Sequence, residues 1–177
     1  AMGGSLLTAL LSPESQVSSL VSRDYDLPAF AGGSNTLVIA SSHSGNTEET
    51  LSAFDQARSR GCQLIVLAGG GVLADRAREF HLPLIMLDYQ SQPRAALGWS
   101  FAPLLNIASR LKWTHAFKND LDEAIDVMRS GNLQFSAESP VMKNLAKREA
   151  GQLMGRIVFV FGAGYFVCAA VFSVVLD

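Results

Sequence analysis

The sequence is poor in cysteine and histidine, and this scarcity argues against several kinds of site. Its 2 cysteines, Cys62 and Cys168, stand without a partner at metal-ligand spacing. We interpret both as small core residues, which predicts no disulfide framework and favours a reducing, cytoplasmic environment. His81 and His115 are not accompanied by Cys, Asp or Glu at ligand spacing either. The sequence therefore predicts no metal site.

Charge is also scarce and nearly balanced. Charged residues make up 17% of the chain and the formal net charge is −2. No general attraction to nucleic acid or to an anionic membrane surface is expected from such a balance. The hydrophobic fraction of 49% is large enough for a buried core and unlike that of a disordered chain. These values favour an ordinary globular domain without a nucleic-acid partner.

Short apolar runs alternate with helical patterns along the first half of the chain. Strands are predicted at residues 37–41, 63–68 and 82–87, with helices at 47–60 and 72–80 between them. The links between these elements are short. Such an order of strands and helices predicts an α/β fold with a parallel sheet and right-handed crossover connections.

The remaining segments are predicted to be helical or irregular. Residues 2–5 form a Gly-rich turn in this interpretation, a short helix follows at 6–11, and 14–36 connect it to the first strand with one short strand or helix. Residues 95–111 are apolar on all sides and predict a buried helix. The segment 141–153 instead predicts an amphipathic helix.

A hydroxyl-rich turn separates the first predicted strand from its helix. Ser42, Ser44 and Thr47 can donate O–H bonds there, and Gly45 lets the backbone approach a ligand closely. Since the positive end of the helix faces this turn, the pattern suits a phosphate group. The alternative is a well-capped helix behind a Ser-rich turn that binds nothing, and the local pattern leaves both interpretations open.

The start of this helix is also predicted from its side chains. Asn46 is expected to be the N-cap, with Glu49 three residues later as the reciprocal partner of a capping box. Glu48 and Glu49 stabilise a helix start but repel an anion. We therefore expect their carboxylates to point away from any bound phosphate.

Three segments together resemble a known enzyme family. Residues 42–50 resemble the phosphate-binding turn of the sugar isomerase (SIS) domain, and residues 2–5 and 92–98 resemble segments of the bifunctional phosphoglucose/phosphomannose isomerases. They lie in the order and approximate spacing of that family, and the resemblance covers about residues 2–164. It implies a SIS-type doubly wound parallel sheet flanked by helices, plus the start of a second SIS domain.

The resemblance also implies a division of the chain into domains. A SIS domain, incomplete at its N-terminus, is expected at residues 1–115, a helical connector at 116–155, and the start of a truncated second SIS domain at 156–177. Because a Gly-rich turn of this kind follows a strand in an open α/β sheet, at least one strand and one helix are expected upstream of residue 2.

The same resemblance assigns the phosphate-binding residues. The hydroxyls of Ser42, Ser44 and Thr47 are expected to bind phosphate oxygens, together with the N–H groups of two further residues of the turn, Gly45 and Asn46. A ligand-contacting serine of the family's first Gly-rich turn matches a residue near the start of this chain, Ser5. His43 is expected to shape the turn rather than to titrate in catalysis.

Arg94 is the one catalytic residue that can be predicted. It follows Pro93, beside the carboxyl end of the third predicted strand, where ligands of such sheets gather. A fixed guanidinium there would stabilise the negative oxygen of a cis-enediolate. The alternative is a surface arginine that pairs with Asp88 or with a helix end.

The resemblance implies an isomerase that interconverts glucose 6-phosphate and/or mannose 6-phosphate with fructose 6-phosphate, without a cofactor. Its expected partners are the sugar phosphate and a second subunit in a cytoplasmic homodimer. The base and the ring-opening acid of the family are not matched by any residue before Asp177. The alternative is a non-catalytic SIS module that senses a phosphosugar.

The last segment allows two interpretations. Residues 157–176 contain 20 residues without a charge, which meets the length criterion for a membrane span. A Val- and Phe-rich strand, a Gly-Ala-Gly turn and an apolar helix would give the same hydropathy. The strand-turn-helix interpretation is preferred, so no membrane partner is expected.

Overall fold

The structure is a computed structural model that describes residues 2–13, 15–89, 96–115 and 117–155. The chain divides into two compact units, Ala1–Ala116 and Phe117–Asp177. The first unit contains the elements α1 Met2–Leu11, β1 Leu37–Ser42, α2 Glu48–Ser59, β2 Gln63–Ala68, α3 Gly71–Glu79, β3 Leu84–Met86 and α4 Leu97–Arg110. The second contains α5 Lys118–Phe135, a 3₁₀ turn Val141–Lys143 and α6 Leu145–Leu153.

The sheet of the first unit has three parallel strands in the order β1-β2-β3. Its register runs from Leu37 opposite Gln63 to Ser42 opposite Ala68, so β1 and β2 end side by side at one edge. The predicted α/β class with a parallel sheet flanked by helices is confirmed. The turns that follow β1 and β2 necessarily meet at this carboxyl edge.

The third strand is shorter than predicted. It begins at Leu84 instead of residue 82, because Leu82 has another role: its N–H donates to the Ala77 carbonyl at 2.8 Å and closes the end of α3. Pro83 has no N–H to offer the ladder, although its carbonyl accepts from Val66 at 2.9 Å. Ladder pairing with β2 therefore starts one residue after the proline.

The core of the first unit lies between the sheet and the helices α2 and α3. Its largest members are fully buried: Phe54, Val66 and Leu73 are 0% exposed. The Phe54 ring stacks on Phe80 with centroids 6.4 Å apart. Burying one such side chain contributes about 1.5–3 kcal/mol, so this layer fixes how α2 and α3 sit on the strands.

The predicted Gly-rich turn at residues 2–5 is wrong, because α1 already begins at Met2. Gly3 serves helix packing instead. It is buried in α1 against α4, where a Cβ would lie 2.8 Å from Ser100 Oγ and 3.1 Å from the Phe101 nitrogen. The glycine is explained by the close approach of two helices, which a turn-based interpretation of the sequence does not consider.

The connecting segment contains neither the short strand nor the short helix that was expected, over its described residues 15–36. Side chains of α2 and of its C-cap residue satisfy part of the backbone of this segment instead. Gln56 Nε2 donates to the Tyr25 carbonyl at 2.8 Å, and Arg60 Nη1 donates to the Pro28 carbonyl at 2.9 Å. The segment is thus held along α2 by side chains rather than by a ladder.

Three helices of the first unit end in the same way. The residue after the C-cap has a left-handed backbone, with φ of +70° at Gly61, +54° at His81 and +58° at Lys112. After α2, for example, the Gly61 N–H bonds the Arg58 carbonyl at 3.1 Å and the next N–H bonds the carbonyl five residues back at 2.9 Å. This is the Schellman arrangement, and the predicted role of Gly61 as the residue beyond the C-cap is confirmed.

The second unit is helical and mostly exposed over its described residues 117–155. Neither α5 nor α6 contains a buried residue. The helix predicted at 141–153 is divided by Asn144, which is 1% exposed and has an extended backbone. Its side chain caps α6, because Oδ1 accepts from the Lys147 N–H at 3.1 Å and Nδ2 donates to the Ser136 carbonyl at 3.2 Å.

Several predictions fall outside the described residues. They concern Arg94, the start of the helix predicted at 95–111, Cys168, and the tail at 156–177 with its strand-turn-helix or membrane interpretation. Among the helices that the structure does describe, none is both long enough and apolar enough to span a membrane.

Candidate functional site

The turn between β1 and α2 brings the predicted phosphate-binding residues together. Ser42 Oγ lies 2.9 Å from Thr47 Oγ1 and accepts the Gly45 N–H at 3.0 Å. Ser44 Oγ accepts the Asn46 N–H at 3.2 Å. The five residues thus form one hydrogen-bonded turn, and the two N–H groups expected to meet a phosphate are bonded to serine oxygens of the same turn.

The hydroxyl protons of this turn can be accounted for. In the Ser42–Thr47 pair either oxygen can be the donor, so the pair uses one proton and retains a second for another acceptor. Ser44 accepts from Asn46, which leaves its own proton for a donor bond. The turn can therefore offer two O–H donors to an anion without breaking its internal hydrogen bonds.

Burial separates the three hydroxyl residues into two groups. Ser42 is only 5% exposed, and its oxygen faces Thr47 and Gly45. Ser44 and Thr47 are exposed. Ser44 and Thr47 are thus the accessible hydroxyls, and the buried Ser42 positions Thr47 through the hydrogen bond between their hydroxyls.

The N-terminus of α2 has no side-chain cap, and the predicted capping box is wrong. Thr47 is the N-cap, with an extended backbone and no side-chain hydrogen bond to the helix, because its hydroxyl bonds Ser42 instead. The first N–H groups of a helix lack intrahelical partners. They point toward the turn and carry the positive end of the helix dipole, which favours an anion there.

Glu48 opens this helix, and its carboxylate is engaged by a tyrosine. Glu48 Oε2 accepts a hydrogen bond from the Tyr25 hydroxyl at 2.9 Å. This hydrogen bond, together with the negative charge of Glu48, raises the pKa of the Tyr25 phenol above its ordinary value. The bond holds the Glu48 carboxylate against the connecting segment. This agrees with the expectation that the carboxylate points away from a bound anion.

Asn46 caps a different helix from the one predicted. Its side-chain Oδ1 accepts the Val72 N–H at 3.0 Å, and the neighbouring Gly45 carbonyl accepts the Leu73 N–H at 2.9 Å. Both donors belong to the first turn of α3. The β1–α2 turn therefore caps the N-terminus of α3. The N-terminus of α2, in contrast, has no side-chain cap.

Glycines make this contact between the two turns possible. Gly45 and Gly71 have φ of +71° and +67°. A Cβ on Gly45 would overlap the Gly70 carbonyl oxygen, and one on Gly71 would lie 2.5 Å from the Ser44 carbonyl oxygen. A Cβ on Gly69 would meet the His43 carbonyl oxygen at 2.5 Å. The sequence shows this Gly triplet, but only the register of β1 and β2 places it against the hydroxyl-rich turn.

An aromatic run extends from the turn along the same edge of the sheet; it consists of His43, Tyr89 and Trp99. The His43 and Tyr89 rings meet edge to face with centroids 6.4 Å apart, and Tyr89 stacks on Trp99 at 5.7 Å. The His43 carbonyl accepts the Gly69 N–H at 3.1 Å, which agrees with its predicted role of shaping the turn. Sequence reasoning missed Tyr89 and Trp99, since their contact depends on how β3 and α4 are placed.

The other predicted site residues are placed differently. Ser5 lies within α1 rather than in a turn, and its hydroxyl accepts a hydrogen bond from Arg23 Nη2 at 3.0 Å; its role as a ligand-contacting serine remains a prediction. Arg94 lies outside the described residues. Within the ranges that the structure describes, His, Cys, Asp and Glu form no group of three or more that could hold a metal ion.

Comparison with known proteins finds several sugar-phosphate isomerases that are similar to this chain. No family model matches it. A bifunctional phosphoglucose/phosphomannose isomerase from Caldicellulosiruptor bescii is 39% identical over 162 residues, which are 92% of this chain and 48% of that protein. Proteins of the same name from Aquifex aeolicus and Thermoplasma acidophilum are each 33% identical, over 81% and 92% of this chain and 40% and 48% of their own lengths.

The chain thus spans about half the length of the curated relatives that it matches. The matches nevertheless cover most of its own residues, including both turns described above. On this similarity, the chain is a homologue of the bifunctional phosphoglucose/phosphomannose isomerase family.

Proposed function

We propose that the β1–α2 turn binds the phosphate of a hexose phosphate, as part of an isomerase that interconverts glucose 6-phosphate and/or mannose 6-phosphate with fructose 6-phosphate. The observation that carries the proposal is the closed turn itself. It presents the hydroxyls of Ser44 and Thr47 at a helix N-terminus without a side-chain cap, in a chain whose relatives are named for this reaction.

Phosphate recognition follows from charge and donors. A phosphate dianion at the start of α2 gains from the helix dipole and from first-turn N–H groups. The Ser44 and Thr47 hydroxyls supply charge-assisted hydrogen bonds, and Ser42 keeps Thr47 in position at 2.9 Å. The Tyr25 hydroxyl bonds Glu48, which limits repulsion between that carboxylate and the anion.

The chemical step needs groups beyond the phosphate turn. Aldose–ketose isomerisation removes a proton from the carbon next to the carbonyl, forms a cis-enediolate, and returns a proton to the neighbouring carbon; no electron acceptor is needed. The guanidinium of Arg94 is proposed to stabilise the enediolate oxygen. A base and a ring-opening acid are also required, and no described residue of this chain is assigned to either role.

Assembly and location are part of the same proposal. The resemblance to the family favours a homodimer that shares active-site residues. The two isolated cysteines favour a reducing cytoplasm.

Calorimetric titration with fructose 6-phosphate tests the phosphate turn. Ser44→Ala is expected to weaken binding by roughly 10- to 100-fold, because it removes a hydrogen bond to a charged group worth about 1.5–3 kcal/mol. Ser59→Ala is the matched control, since this exposed serine lies at the opposite end of α2 and bonds only the local Gln56 carbonyl at 2.9 Å. Equal affinities for wild type and Ser44→Ala would contradict the proposal.

An isomerase assay separates the enzyme from the sensing alternative. In a protein that contains this chain and turns over substrate, Arg94→Ala is expected to abolish turnover while fructose 6-phosphate still binds. Unchanged turnover in that variant would remove Arg94 from the mechanism. Binding without any turnover in the wild type would favour the non-catalytic phosphosugar module.

A further inference from the structure

We propose that the aromatic run of His43, Tyr89 and Trp99 forms the wall of the site that contacts the carbon chain of the hexose phosphate. On this view the hydroxyl-rich turn recognises the phosphate and the aromatic run distinguishes a sugar phosphate from a free phosphate. The inference rests on the proposed function, since it names the surface that the rest of that ligand would touch.

Continuity with the phosphate turn is the first observation behind it. His43 stands between Ser42 and Ser44, so its backbone is part of the turn, and its ring faces Tyr89 at 6.4 Å. Tyr89 follows β3, where the Leu87 N–H bonds the Ala68 carbonyl at 2.9 Å. The run therefore leaves the phosphate turn along the carboxyl edge of the sheet, the edge at which open α/β sheets bind ligands.

Exposure is the second observation. Trp99 remains 45% exposed although it stacks on Tyr89 at 5.7 Å, and the His43 and Tyr89 side chains are each half-buried. A single exposed aromatic side chain needs no explanation. Three aromatic rings in successive contact, His43 with Tyr89 and Tyr89 with Trp99, begin inside a turn that suits an anion and form a half-open surface whose chemistry differs from that of the turn.

The chemistry of this surface fits a sugar better than a phosphate. The faces of aromatic rings are electron-rich and attract the weakly positive C–H groups of a carbohydrate, whereas they offer nothing to an anion. The Trp99 N–H and the Tyr89 O–H can also reach hydroxyl groups at the edges of the rings. Binding sites commonly combine a few polar groups with an aromatic lining in this way.

A competing explanation is that the run only packs the turn into place. Loss of a ring would then weaken binding of inorganic phosphate and of fructose 6-phosphate by the same factor. If the run contacts the sugar, the loss affects fructose 6-phosphate alone. The ratio of the two dissociation constants therefore separates the explanations.

Titration of Trp99→Leu and Tyr89→Leu with both ligands measures this ratio. We expect fructose 6-phosphate affinity to fall roughly three- to tenfold in each variant, as for the loss of one aromatic contact, with inorganic phosphate affinity unchanged within about twofold. Trp113→Phe is the matched control, because it changes the other tryptophan of the chain in the loop after α4. Parallel losses for both ligands, or none, would overturn the inference.

Tryptophan fluorescence gives a second readout that does not disturb the run. The chain has 2 tryptophans, so Trp113→Phe leaves Trp99 as the sole emitter. Fructose 6-phosphate is expected to change its emission saturably, and inorganic phosphate to change it much less. Ser44-dependent binding of fructose 6-phosphate without any change at Trp99 would overturn this inference and leave the proposed function standing. No Ser44-dependent binding at all would overturn both.

Discussion

Gly45 combines two separate requirements at the centre of the candidate site. Its backbone is left-handed, with φ of +71°, and a Cβ would collide with the Gly70 carbonyl oxygen across the contact between the two turns. Gly33 shares only the first requirement, with φ of +73° and no atom within 4 Å of a Cβ. The two glycines therefore separate backbone strain from steric overlap.

Gly45→Ala is expected to be much more damaging than Gly33→Ala. The left-handed backbone costs an alanine about 1–2 kcal/mol at either position, and the collision at Gly45 adds roughly 1–3 kcal/mol or a displacement of the turn. Urea unfolding of both variants measures the free-energy difference, and fructose 6-phosphate titration of Gly45→Ala reports the turn itself. Equal losses of stability would show that the β2–α3 turn yields easily.

At the scale of elements, two helix ends carry backbone strain that a glycine would relieve. The helices α2, α3 and α4 all end with a left-handed residue, yet only α2 uses glycine there, at Gly61. His81 and Lys112 adopt φ of +54° and +58°, a conformation that side chains disfavour. Lys112 is exposed, so its backbone strain is not offset by burial.

Lys112→Gly is expected to raise the free energy of unfolding by about 1 kcal/mol, because glycine adopts the left-handed conformation without strain. Gly61→Ala is the reciprocal change and is expected to lower it by a similar amount, since nothing lies within 4 Å of the added Cβ. Chemical denaturation measures both. A loss of stability in Lys112→Gly would mean that the lysine side chain contributes more than its backbone strain costs.

At the scale of the whole chain, the two units differ in how they are packed. The strands of the first unit are backed by side chains such as Val66 and Leu67, which are 0% exposed. In the second unit, α5 leaves Val127, Met128 and Leu133 between 64% and 78% exposed. Helices without a buried face derive little stability from packing.

Hydrogen exchange is therefore expected to divide the chain sharply. Amides of β1 and β2 should exchange only through global unfolding of the first unit, whereas those of α5 should exchange by local opening, at least 100-fold faster, which corresponds to about 3 kcal/mol. Mass spectrometry of peptides from each element measures this. Protection in α5 equal to that in β2 would show that α5 is covered in solution.

Prediction from sequence succeeded where the signal is local. The apolar runs predict β1 and β2 to within a residue, and the hydroxyl-rich turn is predicted from residues within six positions of each other. Failures occurred where the partner is distant in sequence. The side chain of Asn46 caps a helix 26 residues away, which no rule based on neighbouring residues anticipates.

The prediction for the start of the chain failed for the same reason. The Gly-rich segment at residues 2–5 predicts a turn, but Gly3 is needed because Ser100 on α4 packs against it. The aromatic run likewise joins residues that are distant in sequence: His43 follows β1, Tyr89 follows β3 and Trp99 lies on α4. Only the register of the parallel strands brings such residues to one edge.

The hydrogen bonds between the two turns also bear on how fast and at what entropic cost a ligand binds. Asn46 and Gly45 are hydrogen-bonded to the first turn of α3, so the β1–α2 turn is already ordered before an anion arrives. Association then requires little loss of backbone freedom. The main barrier to binding is then the removal of water from the phosphate. We expect the association rate to depend on ionic strength more than on any ordering of the β1–α2 turn.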